Sequence, residues 1–385
     1  MSQLDKYRAQ IDALDAQIVD LFQRRMAVTG QVGEYKAARG LPVLDARRER
    51  EVLSQKSAMV SDPLLKADVA SLYETIMSLS RRQQRRLVHE GTEDPGFAAY
   101  VEAAAHARTP VERPRVVYQG EPGCYSEEAA AGFFGEGVSS RGLPWFNDVF
   151  QTLADGGADY AVLPIENSST GSIRQVYDLL SQYSYYIVGE YVVKVEHCLA
   201  ALPGTALEDI RTVCSHEQGL QQCEKFLDSH PDWRRVPTLD TAGSARQVAQ
   251  DGDRTAAAIC SRRAAERYGL HILAEKINYN QTNQTRFVVV APVMELRKGR
   301  NKISALFHLP HQSGSLHEIL TIFAVQGLNL LKLESRPIPG RSWQYLFFLE
   351  FTGDLSAPGM DGVLHELSQL SSGLRVLGNF EAYEG

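Results

Sequence analysis

Two cations interrupt the apolar face of the first predicted helix, and their spacing suits the binding of one small anion. Apolar residues recur at spacings of three and four from Leu4 to Tyr35, which predicts one long helix with a buried face. Arg25 occupies a position of that face. Lys36 follows eleven residues later, within about 20° of Arg25 around the helix and roughly 16 Å along it, a gap that two long side chains can close.

Arg8 lies on the same predicted helix, about 25 Å from Arg25. It can therefore join a shared anion site only from a second copy of the chain. The first helix is also much longer than the two that follow, so it needs a partner for its far end, and we expect an intertwined dimer. The alternative is that all three cations simply extend to solvent from a bundle surface.

Two further predicted helices, about 46–57 and 65–87, carry more polar residues that share faces. Asp45, Arg48 and Glu49 share one face of the second helix, although a surface charge cluster would look the same. Ser80 and Gln84 extend an apolar line on the third helix, so they should point inward, where a ligand can satisfy them. Cations and hydrogen-bond donors without a nucleophile–base pair suit the unimolecular rearrangement of a small polyanion.

Residues 114–292 alternate short apolar strands with helices, which predicts an α/β fold with a largely parallel sheet and two lobes around a cleft. Small polar loops follow several strands, and free N–H groups at helix starts bind carboxylates, although plain helix capping explains any single loop. The candidates in these loops and on the next helix turn are Ser126, Asn167, Ser169, Ser215, His216, Gln218 and Gln222. His216 is more often a structural residue than a base.

Glu166 and Thr285 are the two candidate proton donors of this part. Glu166 follows a strand with no basic residue nearby in sequence, so we expect a carboxyl group with a raised pKa. Thr285 and Arg286 open an apolar strand and should face its opposite sides. The sequence leaves open which of Thr285 and Glu166 donates the proton.

Composition favours a cytoplasmic protein. Residues 1–90 hold 15 Lys/Arg and 12 Asp/Glu, a charge of +3. The net charge of the chain is −7, so the remaining residues carry −10. The basic run 81–86 is only weak support for a nucleic-acid partner. The five cysteines form no CxxC pair, as expected for reduced thiols. The start of the chain has no apolar signal-like segment, and no apolar run is long enough to cross a membrane, so we expect neither a nucleic-acid nor a membrane partner.

Three stretches resemble the domains of bifunctional P-proteins. Residues 4–87, with Leu-Asp-Lys-Tyr-Arg at 4–8 and Asp-Ala-Arg-Arg-Glu at 45–49, resemble an all-helical chorismate mutase domain. The matching site residues are Arg8, Arg25, Lys36, Asp45, Arg48, Glu49, Ser80 and Gln84. The resemblance implies that the cations hold the two carboxylates and the ether oxygen of chorismate, with Arg8 from the partner. Gln84 would donate to that oxygen, and Glu49 and Ser80 would contact the ring hydroxyl region.

Residues 114–292 resemble prephenate dehydratase, through Pro-Ile-Glu-Asn at 164–167, Ser-His-Glu-Gln at 215–218 and Thr-Arg-Phe at 285–287. The resemblance implies two lobes like a periplasmic binding protein, with Thr285 donating to the leaving hydroxyl and Glu166 as the alternative acid. Asn167, Ser169, Gln222 and Arg286 would position the substrate. The chain has Cys124 where the family has Thr, which weakens any role for this residue.

Residues 300–385 show the βαββαβ order of a ferredoxin-like unit and resemble an ACT domain, the amino-acid sensor of this family. Its matching effector residues are Gly314, Ser315, Leu316, Glu334, Ser335 and Arg336, although Ser315 and His317 depart from the family pattern of a loop expected to hold L-phenylalanine at a dimer interface.

The expected architecture is multidomain: an all-α intertwined mutase domain (1–90), a linker (91–113), a two-lobed α/β dehydratase domain (114–292) and an α+β ACT domain (300–385). The resemblance implies a cytoplasmic homodimer acting on chorismate and prephenate, with L-phenylalanine as effector and no metal or organic cofactor. A non-catalytic small-molecule binder is the alternative, and it leaves the Pro-Ile-Glu-Asn and Thr-Arg-Phe motifs unexplained.

Overall fold

A computed structural model describes residues 2–88, 95–312, 314–338, 340 and 344–383. The chain begins with three helices, α1 (Gln3–Ala37), α2 (Ala46–Ala58) and α3 (Pro63–Val88). Ser2 and Asp5 form a reciprocal capping box at the start of α1, and the Asp45 carboxylate accepts from the Arg48 N–H to cap α2. The three predicted helices are confirmed, and their observed ends lie within two residues of the predicted ones. None of the described helices is long and apolar enough to cross a membrane.

The apolar face of α1 is exposed in the single chain, so the expected burial is not provided by this chain itself. Its apolar residues from Leu4 to Tyr35 are 42% to 63% exposed. The reason is that α3 packs on a different side of α1, the side that carries the buried residues Thr29 and Gly33, where a Cβ on Gly33 would lie 3.0–3.2 Å from atoms of Leu87 and Gln84. The apolar face itself is left uncovered by the described residues of this chain.

A fourth helix, α4 (Pro95–Ala105), occupies much of the segment that we expected to be a linker. Tyr100 of this helix is buried in one core with Met294, Ile303 and Leu364. Arg108 then donates from Nε to the Glu295 carboxylate at 2.9 Å. The linker expectation is therefore wrong for these residues, because their alanines and aromatics pack on the C-terminal part of the chain.

Two lobes follow, and the chain crosses between them twice. The first lobe contains β1 (Arg115–Gln119), α5 (Tyr125–Phe134), β2 (Ser139–Leu143), α6 (Phe146–Ala154), β3 (Tyr160–Asn167), β4 (Gly171–Ser172), α7 (Arg174–Gln182) and β5 (Tyr186–Lys194). The second contains β6 (Cys198–Ala201), β7 (Thr212–His216), α8 (Glu217–Gln222), α9 (Glu224–Leu227), β8 (Arg234–Thr238), α10 (Thr241–Asp251), β9 (Ala256–Cys260), α11 (Arg262–Arg267) and β10 (His271–Ala274). The next strand, β11 (Gln284–Ala291), returns to the first lobe.

Both lobes contain mixed sheets. The first sheet has the order β2-β1-β3-β11-β5 with β4 beside β3, and the second has the order β10-β6-β9-β7-β8. β1 runs parallel to β2 and β3, but β11 is antiparallel to both β3 and β5. The expectation of a largely parallel sheet is therefore only partly met, since the strand that returns from the second lobe enters the first sheet in the opposite direction.

The C-terminal module has the predicted βαββαβ order. It consists of β12 (Lys302–His308), α12 (Ser315–Val325), β13 (Leu330–Pro337), β14 (Tyr345–Thr352), α13 (Met360–Leu370) and β15 (Ser372–Phe380), and all three strand pairings of its sheet, in the order β13-β14-β12-β15, are antiparallel. Trp343, where we expected the third strand to begin, lies outside the described residues.

The module packs directly on the first lobe. Leu163 and Val288 of the lobe share one core with Phe348 and Leu377 of the module. A Cβ on Gly378 would lie 1.9 Å from the Ile187 carbonyl oxygen, so only glycine permits this approach of β15 to β5. Burial of apolar surface on both sides couples the module to the sheet that contains β3 and β11.

Candidate functional sites

A cleft of about 440 Å³ lies between the two lobes. It brings together six of the residues predicted from the sequence, which are Ser126, Asn167, His216, Gln218, Gln222 and Thr285. They come from the start of α5, the end of β3, the second lobe near α8, and the start of β11. The strand ends and helix starts of both lobes thus converge on one concave space, as expected for a small-molecule site.

Asn167 and Thr285 form the polar centre of this cleft. They are paired across β3 and β11, and Asn167 Nδ2 donates to Thr285 Oγ1 at 2.8 Å. Asn167 Oδ1 accepts the backbone N–H groups of Ser169 and Thr170 at 2.9 and 3.1 Å, which fixes the amide orientation. Because Thr285 Oγ1 accepts from Asn167, its own proton remains available for a group bound in the cleft.

His197 is a cleft residue that the sequence reasoning missed. Its Nε2 donates to Gln222 Oε1 at 2.9 Å, and its Nδ1 lies 3.2 Å from the Tyr125 hydroxyl. Burial lowers the pKa of His197, so the imidazole is held neutral. Since the Gln222 carbonyl is occupied, its amide N–H₂ group is left for the cleft. A lone histidine before Cys198 carries no sequence pattern, and only the fold reveals this contact.

The described lining of the cleft contains no lysine or arginine, so an anion there must be bound by neutral donors. α5 begins at the cleft, and its N-cap residue Cys124 makes no side-chain capping bond, which leaves N–H groups of the first turn for a ligand. Burial raises the pKa of the Cys124 thiol to about 12, so this residue stays protonated. His216 caps α8 by accepting the Gln218 N–H at 3.2 Å, in line with a structural role.

Two predicted substrate residues support the cleft without lining it. Ser169 Oγ donates to Asn283 Oδ1 at 3.1 Å and accepts from Asn280 at 2.9 Å. Ser215 is fully buried and donates to the Ile259 carbonyl oxygen at 2.8 Å. Direct substrate contact by these two hydroxyls is therefore not supported.

Glu166 and Arg286 lie outside the cleft, which corrects two predictions. Glu166 pairs with Lys332 Nζ at 2.8 Å and with Arg286 Nη2 at 3.2 Å. Burial alone would raise the pKa of Glu166, but Lys332 and Arg286 outweigh it and the pKa is lowered. The expected raised pKa is thus wrong, because these cations come from distant parts of the chain, and Glu166 is not placed to act as the alternative acid.

In the helical part, Arg25 and Ser80 meet. Arg25 Nη1 donates to Ser80 Oγ at 2.6 Å, and Ser80 in turn donates to the Ile76 carbonyl oxygen. Gln84, one turn further along α3, is buried, and its Oε1 has no partner among the described residues. Ser80 and Gln84 therefore point inward as predicted, and a buried amide oxygen without a partner calls for a ligand or a second chain.

Four other predicted residues of the helical part are bonded to other groups of the same chain. Lys36 Nζ donates to the Val43 carbonyl oxygen at 2.5 Å. Arg48 is exposed and pairs with Glu51 at 3.5 Å, while Asp45 serves as the α2 cap. Arg8 is 67% exposed at its side chain and pairs with Asp5 at 4.0 Å.

The predicted effector residues fall in two places. Gly314 and Ser315 line a cavity of about 920 Å³ between the helical part and the module. Glu334 instead accepts from Ser172 at 2.8 Å, and Arg336 holds Asp178 through two bonds of 3.0 and 2.8 Å, so both face the first lobe. Ser335 is exposed on β13, and Leu316 does not line the cavity.

Two family models match this chain. The model for chorismate mutase type II matches residues 7–85, and the model for prephenate dehydratase matches residues 116–295. A relative from Escherichia coli (strain K12), described as a bifunctional chorismate mutase/prephenate dehydratase, is 35% identical over 386 residues, which cover 96% of this chain and 94% of the relative.

Among solved structures, a prephenate dehydratase in complex with L-Phe from Arthrobacter aurescens is 31% identical, with a TM-score of 0.63, and the match covers 70% of this chain and 90% of that one. A protein described as GqqA, a novel type of quorum quenching acylase, is 30% identical with a TM-score of 0.64, and the match covers 70% of this chain and 98% of that one.

Proposed function

We propose, on the premise that this chain belongs to the family of bifunctional chorismate mutase/prephenate dehydratases, that its two sites act in sequence in phenylalanine biosynthesis. The chain is an enzyme with both activities. The helical part rearranges chorismate to prephenate, and the cleft between the lobes converts prephenate to phenylpyruvate. The single observation that carries the second step is the Thr285 hydroxyl, which lines the cleft and accepts from Asn167, so that its own proton is available to a bound group.

In the cleft, prephenate loses its ring carboxylate as CO₂ and its hydroxyl as the leaving group, and the ring becomes aromatic. The electron pair of the breaking C–C bond forms the new ring double bond as the C–O bond breaks. Proton donation from Thr285 to the departing oxygen stabilises the negative charge that develops on this oxygen. The Gln222 amide and the N–H groups at the start of α5 supply neutral donors for carboxylates.

For the mutase step we propose the residues that match the family. Arg25, Lys36 and Arg48 hold the carboxylates and the ether oxygen, and Gln84 donates to the oxygen on which negative charge develops. Glu49 and Ser80 contact the ring hydroxyl region. The hydrogen bond from Arg25 to Ser80 and the partnerless Gln84 amide oxygen support a ligand beside α1 and α3.

We propose that the mutase site is completed in a homodimer. The exposed apolar face of α1 supports this, since a continuous row of leucine, isoleucine and valine side chains on a 35-residue helix gains stability by pairing. Arg8 lies on the same helix and has no contact with Arg25 in one chain, so it would reach the partner's site.

We propose that the C-terminal module is an ACT domain that binds L-phenylalanine and lowers dehydratase turnover. The βαββαβ order with its antiparallel sheet supports the domain assignment. The Arthrobacter dehydratase was solved with L-Phe, and 70% of 385 residues is about 270, more than the 180 residues of 116–295. The likeness to that protein thus extends beyond the dehydratase match. A cytoplasmic location is proposed from the five buried free cysteines.

An acylase activity, as described for the second structural neighbour, would require an activated nucleophile in the cleft. The Cys124 thiol lines the cleft, but burial raises its pKa to about 12, so it is not an activated nucleophile. This observation favours the dehydratase.

One coupled assay tests the proposed function. The purified full chain is incubated with chorismate, and prephenate and then phenylpyruvate are followed by absorbance and chromatography. We expect both products to appear in that order, and a separate reaction started with prephenate to yield phenylpyruvate. Absence of prephenate from chorismate would overturn the mutase assignment, and absence of phenylpyruvate from prephenate would overturn the dehydratase assignment.

A further inference from the structure

Arg81 links a proposed mutase residue to the C-terminal module. Its Nη1 donates to both carboxylate oxygens of Glu49, each at 2.5 Å, and its Nη2 pairs with Glu318 Oε1. Glu318 belongs to the first turn of α12, close in sequence to Ser315. A chain of three charged side chains, Glu49–Arg81–Glu318, therefore runs from α2 through α3 to the module.

The two carboxylates fix the orientation of the Arg81 guanidinium. Arg81 is 9% exposed, and its Nε has no partner among the described residues, so Glu49 and Glu318 supply its hydrogen bonds. Arg85 Nη2 binds the other oxygen of Glu318 at 3.0 Å and holds that carboxylate in place. Bonds between ionised groups with little solvent access are short and directional, so a change at Glu318 alters the geometry at Glu49.

Arg81 directly follows Ser80 on α3, and it draws the Glu49 carboxylate from α2 toward that helix. We propose that Arg81 is a positioning residue of the mutase site, that it orients Glu49 toward bound substrate, and that Glu318 of the C-terminal module sets this orientation. The inference rests on the proposed role of Glu49. It assigns a function to Glu318 and to Arg81, which the sequence placed only in the basic run 81–86, and it makes mutase turnover depend on the module.

Removing Arg81 or the charge on Glu318 has a defined consequence. Without Arg81, the Glu49 carboxylate loses both of its short bonds and samples other rotamers. Without the charge on Glu318, Arg81 Nη2 is held less strongly by α12, so the guanidinium shifts toward Glu49 and moves that carboxylate out of position. Both changes misplace one group at the reacting region, and small misplacements in enzyme sites lower rates by about ten- to one hundred-fold.

The test uses the full chain and two assays, mutase turnover of chorismate and dehydratase turnover of prephenate. We expect Arg81→Gln to lower mutase kcat/KM by about ten- to one hundred-fold, Glu318→Gln by about three- to ten-fold, and Arg81→Lys, which keeps the charge, to recover most of the loss. The double variant should match Arg81→Gln alone, because Glu318 acts only through Arg81. Dehydratase kcat/KM should stay within about two-fold in every variant, which also reports correct folding.

A matched control crosses the same boundary without touching Glu49. Arg82 Nε pairs with Glu366 at 2.6 Å, so Arg82→Gln removes another ion pair between α3 and the module. We expect its mutase activity to stay within about two-fold of the unmodified chain. An equal loss in Arg82→Gln, or a Glu318→Gln loss that persists in full on the Arg81→Gln background, would overturn the inference.

Glu49→Gln separates the two levels of the argument. If this variant keeps full mutase activity, the proposed role of Glu49 fails, and the inference fails with it. If Glu49→Gln loses activity while Arg81→Gln and Glu318→Gln retain it, only the inference fails.

Discussion

Thr285 and Arg286 are consecutive residues of β11 that serve opposite faces of one sheet. The Thr285 hydroxyl lies in the cleft, bonded to Asn167, whereas Arg286 Nη1 binds Glu350 of the C-terminal module and Glu190 of β5, both at 3.0 Å. The candidate proton donor and a residue that forms an ion pair with the module are thus joined by a single peptide bond. A shift of the module relative to the lobe would move Arg286 and, through the backbone of β11, the adjacent Thr285 in the cleft.

The first prediction concerns the donor. Replacing Thr285 with Ala removes the hydroxyl that faces the cleft, and we expect dehydratase kcat to fall by about 10²- to 10³-fold, the usual effect of losing one transition-state donor. Thr285→Ser keeps the hydroxyl and should retain most of the activity. Mutase activity is the internal control. Near-normal phenylpyruvate formation by the alanine variant would contradict the assignment.

The second prediction concerns His197 and Gln222. His197→Phe frees the Gln222 carbonyl, so the amide no longer presents its N–H₂ group reliably, and we expect dehydratase kcat/KM to fall about ten-fold or more. His197→Gln places an amide nitrogen near the position of Nε2, so it can still donate to Gln222 and should recover part of the loss. Steady-state kinetics with prephenate decides this, and equal activity of the two variants would argue against a positioning role.

His197 also predicts a pH effect on stability. Burial lowers the pKa of His197 below its ordinary value of 6.5, so the unfolded chain binds this proton more readily than the folded one. Stability should therefore fall as pH drops below about 6.5 toward the lower folded value. Denaturant unfolding at several pH values should show this slope in the unmodified chain and a smaller one in His197→Gln.

The third prediction concerns the charges under the module. Arg286 faces the nearly buried carboxylates of Glu190 and Glu350, and Arg286→Leu leaves them without this partner, so we expect a loss of about 3–5 kcal/mol in the free energy of unfolding. Replacing the exposed Arg115 that pairs with Asp159 should change little. Denaturant titration compares the two, and a small effect of Arg286→Leu would show that the cluster is dispensable.

The same cluster gives acid sensitivity of a defined sign. Burial would raise the pKa of Glu190, but Lys302 and Arg286 outweigh it, and the pKa is lowered from 4.5. Its stabilising contribution is therefore complete above the unfolded value and is lost as pH falls through the lower folded value. We expect the unfolding free energy to decrease below about pH 4.5.

The fold was largely predictable because its signals are local. Apolar spacing and end signals predicted α1, α2 and α3, and alternation along β11 placed Thr285 and Arg286 on opposite sides. The failures have non-local causes. Glu166 looked free of cations because Lys332, its partner, is 166 residues away in sequence. The apolar face of α1 predicts burial, but its sequence pattern does not indicate whether the covering surface belongs to the same chain.

The fourth prediction concerns the effector. If the module binds L-phenylalanine, calorimetry should show heat on titration, and dehydratase activity should fall as the sites fill, since a ligand shifts an equilibrium by its differential affinity. Ser315→Tyr fills the space beside Gly314 and should weaken both effects together. Absence of both heat and inhibition in the unmodified chain would remove the effector proposal while leaving catalysis untouched.

The last prediction tests whether each mutase site draws on two chains. Arg8→Ala and Arg25→Ala should each abolish most mutase activity alone, because each removes a cation from both sites of a symmetric dimer. Unfolding and refolding an equal mixture gives about one half hybrid dimers, each with one intact site, so about a quarter of the original activity should return. Arg25→Ala mixed with Lys36→Ala is the matched control. Those two residues come from the same copy of α1, so no hybrid has an intact site and no activity should return. Recovery in both mixtures, or in neither, would contradict a site that takes Arg8 from one chain and Arg25 from the other.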